Sequence, residues 1–221
     1  TRYIGDWSSD VCSSDLVECL TRSAVAASGW TAPRLVAEGE RIRIDPAPGQ
    51  QWGYLAVAGG LRGVPVLGSL CADTMAAITA VSVSIGARLE IGEARDRSLP
   101  DLIALPPQRN TLTVIPGPHL DRFVSTALRL LTSTQWTVEN NSRVGVRLAG
   151  GNIELADGSA SAASEPMVVG ALQVPPNGSP IILGRDHPVT GGYPVIAVVD
   201  DASMSQALGA AIGTTVLFRL G

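Results

Sequence analysis

Between Gly170 and Pro194 the sequence GALQVPPNGSPIILGRDHPVTGGYP sets a short apolar strand between two turns crowded with polar groups. Val174-Pro175-Pro176-Asn177-Gly178 cannot continue a ladder, because proline has no N–H and Asn-Gly favours positive φ. Pro180-Ile181-Ile182-Leu183 then reads as a buried strand. The run from Arg185 to Pro194 gathers a guanidinium, the Asp186 carboxylate, the His187 imidazole, the Thr190 hydroxyl and the Gly191-Gly192 pair, followed by Tyr193. Adjacent glycines let backbone approach a ligand and free N–H groups to bind anions. A long hairpin with ordinary turn residues accounts for the same composition, so the run is a candidate rather than a signature.

Elsewhere the polar candidates are Arg143, Arg147, Glu165, Gln173 and Asn177. His119 follows Pro-Gly-Pro at the start of a helix, where capping or packing competes with a binding role. No serine or cysteine lies in a G-x-S-x-G setting, so no nucleophilic triad is defended. Glu165 and Asp186 are possible paired carboxylates.

The totals exclude several function classes. Every one of the 16 basic residues is arginine, and without lysine the chain can form neither a Schiff base nor a Walker-A phosphate loop. Nor can it carry covalent biotin or lipoate, so a swinging cofactor would sit on another chain. A net charge of −4 with no basic run argues against nucleic acid. Cys12, Cys19 and Cys71 have no metal spacing, which predicts no zinc site and fits a reduced, cytoplasmic protein. No apolar run of membrane-spanning length is present, so no membrane role is expected.

The elements that must position these groups are mostly strands. Apolar residues make up 45% of the 221 and aromatics only 4%, with glycine and proline frequent, as in β-rich, turn-rich domains. Arg34–Val36, Arg41–Ile44, Trp52–Ala58 and Arg88–Gly92 read as strands of a first domain, with a helix over Ala72–Thr79. Residues 93–110, charged and proline-rich, read as a linker. Beyond it, Leu112–Ile115, Trp136–Val138, Val144–Leu148, Val195–Val199 and Thr215–Phe218 read as strands. The apolar spacing of Leu120, Phe123, Val124, Ala127 and Leu131 predicts one helix over Leu120–Leu131. Ser203–Leu208 reads as a second, with Gly209 at its C-terminal cap. Residues 1–16 share none of this patterning. Ile4–Leu16 is similar to an in-frame translation of a sequencing-library adapter, so this tail is expected to be artefactual or disordered, with natural sequence beginning near Val17.

Several ordered blocks together resemble one family. They are Tyr54-Leu55-Ala56-Val57-Ala58-Gly59-Gly60, Val66-Leu67-Gly68-Ser69, Val114-Ile115-Pro116-Gly117-Pro118-His119, Ser164-Glu165, Gly170-Ala171-Leu172-Gln173-Val174-Pro175, Asn177-Gly178, Pro180-Ile181 and Thr190-Gly191-Gly192-Tyr193-Pro194. They look like the biotin-dependent carboxyltransferase family, which includes the C subunit of bacterial 5-oxoprolinase, allophanate hydrolase subunit 2-like proteins and the carboxyltransferase domain of urea amidolyase. The resemblance implies a mostly β fold with a few helices, arranged as two cyclophilin-like β-barrel domains. On that basis 17–105 is a partial first domain, truncated at its N-terminus, and 106–221 the second.

The same resemblance implies an enzyme that opens the lactam of 5-oxoproline to glutamate, with ATP shared with a B-subunit-like partner. It alternatively implies carboxyl transfer from biotin, carried elsewhere, to urea or a related amide. A third implication is a non-catalytic regulator that antagonises a kinase inhibitor by binding it. For an amide substrate, Arg143 would bind a carboxylate or phosphoryl group in a fork. The N–H groups of Gly191 and Gly192 would face the developing oxyanion. Gln173 and Asn177 would orient the amide, and Glu165 or Asp186 would be the base. His119, Thr190 and Tyr193 complete the expected substrate-binding set. An Arg143 that only pairs with Glu165 or Asp186 to join two loops is the competing expectation. Three features depart from the family pattern: Asn141-Ser142-Arg143-Val144-Gly145 lacks the usual acid before the arginine, His187-Pro188-Val189 replaces a more usual Arg-Gln-Thr-like run, and Thr-Val-Gln-Asp-like and Pro-x-Ser-Gly-Ala-like N-terminal motifs are missing.

Overall fold

Alternation of apolar and polar residues produces strands whose buried sides converge on a shared core, most clearly in the second half of the chain. The computed structural model describes residues 15–18, 23–27, 32–44, 49–72, 83, 85–93, 109–156 and 163–221. Backbone contacts divide the chain into two units, Thr1–Pro106 and Pro107–Gly221.

In the first unit, β1 (Asp15–Glu18) pairs antiparallel with β4 (Arg41–Ile44), and β2 (Ser23–Ala27) lies between β3 (Arg34–Val36) and β5 (Leu55–Val57). The Arg41–Ile44 repeat alternates exposed and buried as its period demands, placing Ile42 and Ile44 with Val36 and Leu55 in a small core. The expected strand over Trp52–Ala58 contracts to β5, and that over Arg88–Gly92 contributes a single bridge from Ile91 to Leu61. The helix expected over Ala72–Thr79 and the linker expected over 93–110 lie almost wholly outside the described residues. Among the described residues, the strands of this unit form two small sheets.

The second unit is a closed seven-stranded barrel in the order β10 (Ala171–Gln173), β11 (Ile181–Leu183), β8 (Gly145–Ala149), β7 (Trp136–Asn141), β14 (Thr215–Leu220), β6 (Thr111–Pro116) and β13 (Val195–Val199). All its pairs are antiparallel except β14 with β6, which run parallel. Two helices, α1 (Ala127–Ser133) and α2 (Asp201–Gly209), add Leu131 and Met204 to the same core as Leu112, Trp136, Leu148, Leu172, Ile182 and Ile196. That core is apolar, so chemistry is left to the outside of the wall and its loops. A separate ribbon, β9 (Glu165–Pro166) with β12 (Thr190–Gly191), pairs antiparallel.

The helix expected over Leu120–Leu131 is broken. Leu120–Arg122 forms one 3₁₀ turn, Phe123 buries itself and bridges to Leu155, and only Ala127–Ser133 is α-helical. The Ala156 N–H donates to the Arg122 carbonyl and the Val124 N–H to the Glu154 carbonyl, which withdraws both groups from an α ladder. Helix α2 starts two residues earlier than expected because the Asp200 carboxylate accepts from the Ser203 N–H at 2.8 Å. Gly209 is its last helical residue and Ala210 the cap, correcting the expected Gly209 cap. Buried Asn141 donates to the Leu208 and Ala210 carbonyls at that end, at 3.0 and 2.7 Å.

Candidate functional site

The end of β6 is pressed against β13. A side chain on Gly117 would overlap the Val195 carbonyl oxygen and lie 2.7 Å from the Ile196 carbonyl carbon, so only glycine permits this approach. The consequence falls two residues later. Val195 donates its N–H to His119 Nδ1 at 3.0 Å, and the His119 N–H returns to the Val195 carbonyl. A nitrogen that accepts a backbone N–H must offer its lone pair, so the ring hydrogen sits on Nε2. That Nε2–H donates to Glu165 Oε2 at 3.0 Å.

Arg122 completes the group. In a 3₁₀ turn residues three apart eclipse, so His119 and Arg122 project from one side. Both reach Glu165: Arg122 Nη2 lies 3.9 Å from Glu165 Oε1. The carboxylate therefore has an imidazole N–H on one oxygen and a cation near the other.

Glu165 lies opposite Gly191 across the β9–β12 ribbon, and Gly191 in turn lies over Gln173. A Cβ at Gly191 would come within 2.7 Å of Gln173 Nε2. Ala171, Leu183 and Val195 form a second apolar cluster on the barrel wall, alternating with core residues Leu172, Ile182 and Ile196; Met167 packs on it from the end of β9. Gln173 stands beside that cluster, just past a register shift, only 7% exposed. Its Nε2 donates to the Tyr193 carbonyl at 3.3 Å and to Met167 Sδ at 3.2 Å. The Tyr193 carbonyl can face only the NH₂ side of the amide, which fixes its orientation. Oε1 is then left as an acceptor, with no partner of its own among the described residues.

His119, Glu165, Gln173, Gly191 and Tyr193 are thus one contiguous group. Gly192 lies between the last two, partly buried, and Thr190 is exposed at the ribbon opposite Pro166. Arg143 and Asp186 belong to the other end of β11. There Gly145 pairs with Leu183, whereas Gln173 pairs with Ile181. Arg143 Nη2 donates to Asp186 Oδ1 at 3.1 Å, and Nε lies 2.7 Å from Oδ2 as an ion-pair contact that leaves this buried oxygen without a hydrogen bond. Backbone bonds from Asp186 N to the Arg143 carbonyl and from Gly184 N to the Val144 carbonyl zip the same two loops. Asn177 is exposed and folds its own turn, accepting from the Ser179 N–H at 3.2 Å. His187 turns Nδ1 to the Pro188 carbonyl at 2.7 Å. Arg122 is the member that sequence reading missed. Its signal was the His119-x-x-Arg122 spacing, which puts the two on one face of a 3₁₀ or an α turn, but nothing in that spacing brings Glu165 to them.

Chemically, the group offers a carboxylate held by His119, a nearby guanidinium and the oriented amide oxygen of Gln173, able to accept an N–H. No helix among the described residues is long and apolar enough to cross a membrane.

Comparison with known proteins follows the same lines. The chain is 32% identical over 191 residues to the C subunit of 5-oxoprolinase from Haemophilus influenzae and 30% identical over 196 residues to that of Escherichia coli. These matches cover 83% and 86% of the chain but only 60% and 62% of the two relatives, so the chain spans about three-fifths of their length. The crystal structure of TTHA0988 superposes with a TM-score of 0.79 at 29% identity, over 92% of this chain and 44% of that one. Urea amidolyase of K. lactis shares the fold, with a TM-score of 0.69 at 23% identity over 90% of this chain and 14% of that one. The family described as carboxyltransferase domain, subdomain A and B, matches residues 19–220, and the chain belongs to it.

Proposed function

We propose that this chain acts as the C subunit of an ATP-dependent 5-oxoprolinase, opening the lactam of 5-oxoproline to glutamate together with partner subunits. The observation that carries the reading is the Gln173 amide, buried and turned so that Oε1 remains an acceptor beside the His119–Glu165 pair. A secondary lactam has one N–H, and Gln173 Oε1 is its counterpart. The names of the two 5-oxoprolinase relatives support the same choice of substrate.

In this reading Glu165 is the base, since Asp186 is ion-paired with Arg143 at the other end of β11, away from Gln173. Glu165 takes the proton of the water that adds to the activated carbonyl carbon, and the C–N bond then breaks with the amine nitrogen accepting a proton. His119 holds one carboxylate oxygen so that the other faces the reacting group. The N–H groups of Gly191 and Gly192 would face the oxygen that becomes negative. ATP would supply the driving force by transferring its γ-phosphoryl group to the lactam oxygen with ADP leaving, and the acyl phosphate left after C–N cleavage would be hydrolysed by a second water to glutamate and phosphate. With no lysine in the chain to form a Walker-A cradle, we assign nucleotide binding chiefly to a B-subunit-like partner.

The test is co-expression of the full chain with its partner subunits and an assay of ATP-dependent glutamate release from 5-oxoproline. Wild-type complex is expected to turn over, and Gln173→Leu to raise KM with little change in fold stability. A complex inactive on 5-oxoproline that instead carboxylates urea from a biotin carrier would overturn the proposal.

A further inference from the structure

We infer that Arg122, rather than Arg143, receives the carboxylate of the substrate; the inference rests on the 5-oxoprolinase reading and assigns the anionic end of that same site. A lactam that yields glutamate on ring opening carries one free carboxylate besides its amide. The site that accepts the amide N–H at Gln173 therefore needs a cation nearby. Two arginines are candidates, and their geometry separates them. Arg143 is closely ion-paired with Asp186, with Nη2 donating to Oδ1 at 3.1 Å and Nε 2.7 Å from Oδ2. Arg122 stands 3.9 Å from Glu165 Oε1, beyond hydrogen-bond length, so it neutralises Glu165 without binding it in a fork. Its guanidinium donors have no closer acceptor among the described residues.

The local fold holds Arg122 in place for this. The Arg122 N–H donates to the His119 carbonyl at 3.0 Å, the Arg122 carbonyl accepts from Ala156, and the next residue, Phe123, is buried. The backbone is pinned on both sides while the guanidinium is partly exposed, 29% by side-chain area. Glu165 thus has Arg122 on the Oε1 side and His119 on the Oε2 side. A substrate carboxylate seated on Arg122 brings its lactam ring beside Glu165 and places its N–H within the Gln173 and Gly191 end of the group.

Binding of two lactams to the full chain assembled with its partners tests the assignment. They are 5-oxoproline and 2-pyrrolidone, which has the same ring without the carboxylate. Wild type is expected to prefer 5-oxoproline by about 10–100-fold, the range of one charge-assisted carboxylate contact. Arg122→Gln should abolish that preference while leaving 2-pyrrolidone affinity unchanged, Arg122→Lys should recover part of it, and the surface change Arg129→Gln should leave it intact. Equal 2-pyrrolidone binding by wild type and Arg122→Gln shows that the variant is folded at the site. A preference that survives Arg122→Gln, or that disappears in Arg143→Gln instead, overturns the assignment. Wild type that binds neither lactam overturns the 5-oxoprolinase reading, and this assignment with it.

Discussion

Arg143 grips Asp186 at two points across 43 residues of sequence, Nε to Oδ2 at 2.7 Å and Nη2 to Oδ1 at 3.1 Å. Both side chains are about three-quarters shielded from water, so the pair escapes most of the screening that makes surface ion pairs weak. Removing either partner alone leaves a partly buried charge. Arg143→Gln and Asp186→Asn are each expected to destabilise the second unit, and the double variant to cost less than their sum. A double-mutant cycle by urea denaturation should return a coupling of about 1–3 kcal/mol. Additive effects would show that the pair does not brace the two loops.

The His119 ring can be dissected by isosteres. Asparagine places an acceptor where Nδ1 lies, and glutamine a donor where Nε2 lies. His119→Asn is therefore expected to keep the Val195 contact and lose Glu165, whereas His119→Gln keeps Glu165 and loses Val195. Stability should fall more in His119→Gln and turnover more in His119→Asn. In wild type, ¹⁵N shifts of the ring should report hydrogen on Nε2; hydrogen on Nδ1 would contradict the Val195 bond.

Gly191 separates folding from binding. The Cβ of Gly191→Ala meets the tip of the Gln173 side chain at 2.7 Å, and that tip can swing away. Unfolding free energy is expected to change by less than about 1 kcal/mol, as for a surface substitution. Affinity for a lactam should fall about tenfold or more, because the amide that reads its N–H is displaced. A melting curve beside a binding isotherm gives both numbers from one preparation.

Asn141 ties β7 to the end of α2 through its two amide hydrogens. Asn141→Ala is expected to cost about 1–3 kcal/mol, since the Leu208 and Ala210 carbonyls lose their side-chain donor in a buried place. Loss of α2 amide protection in hydrogen exchange, with the β6 amides unaffected, would locate the effect.

Acid should loosen the first unit at Glu40. The Ala37 N–H first, and then Arg34, hold the Glu40 carboxyl below its ordinary value of 4.5. A lowered acid group stabilises the fold above its unfolded pKa and ceases to do so as pH falls through the folded one. The contribution is thus complete near neutrality and lost in acid below 4.5. A Glu40 side-chain NMR titration with its midpoint at or above that value would refute the contact.

Sequence reading reached much of the barrel because its strands carry their own alternation. Arg34–Val36 and Arg41–Ile44 in the first unit and Val195–Val199 in the barrel coincide with observed strands, the other barrel strands that were expected agree to within three residues at either end, and Ala171–Gln173 was not recognised. It failed where tertiary hydrogen bonds override local pattern. Leu120–Leu131 has helical spacing throughout, yet the carbonyl of Glu154 and the N–H of Ala156 claim its middle. Arg122 escaped notice because its place depends on contacts from distant residues, the Ala156 N–H on its carbonyl and Glu165 beside its guanidinium. Gln173 and Gly191 stand out by residue type and again in the family blocks, but their meeting depends on the β9–β12 ribbon, whose two-residue strands have too little sequence to be recognised. Arg143 and Asp186 show the limit of residue type as a guide: a guanidinium suited to a ligand is equally suited to a carboxylate of the same chain.

The parallel pairing of β14 with β6 makes completion of the wall an event of the last barrel strand in sequence order. β14 stands between β6 and β7, so until Thr215–Leu220 has been synthesised the earliest barrel strand has an open edge and Trp136 has no neighbour on that side. A nascent chain halted before Thr215 would expose two unpaired strand edges, the hazard that closed barrels otherwise abolish. Contacts between residues a hundred positions apart, such as Leu112 with Phe218, also predict slow closure. The His119–Val195 clasp needs neither edge. It can form while the barrel is still open, setting the Glu165 end of the wall before the seam is sealed.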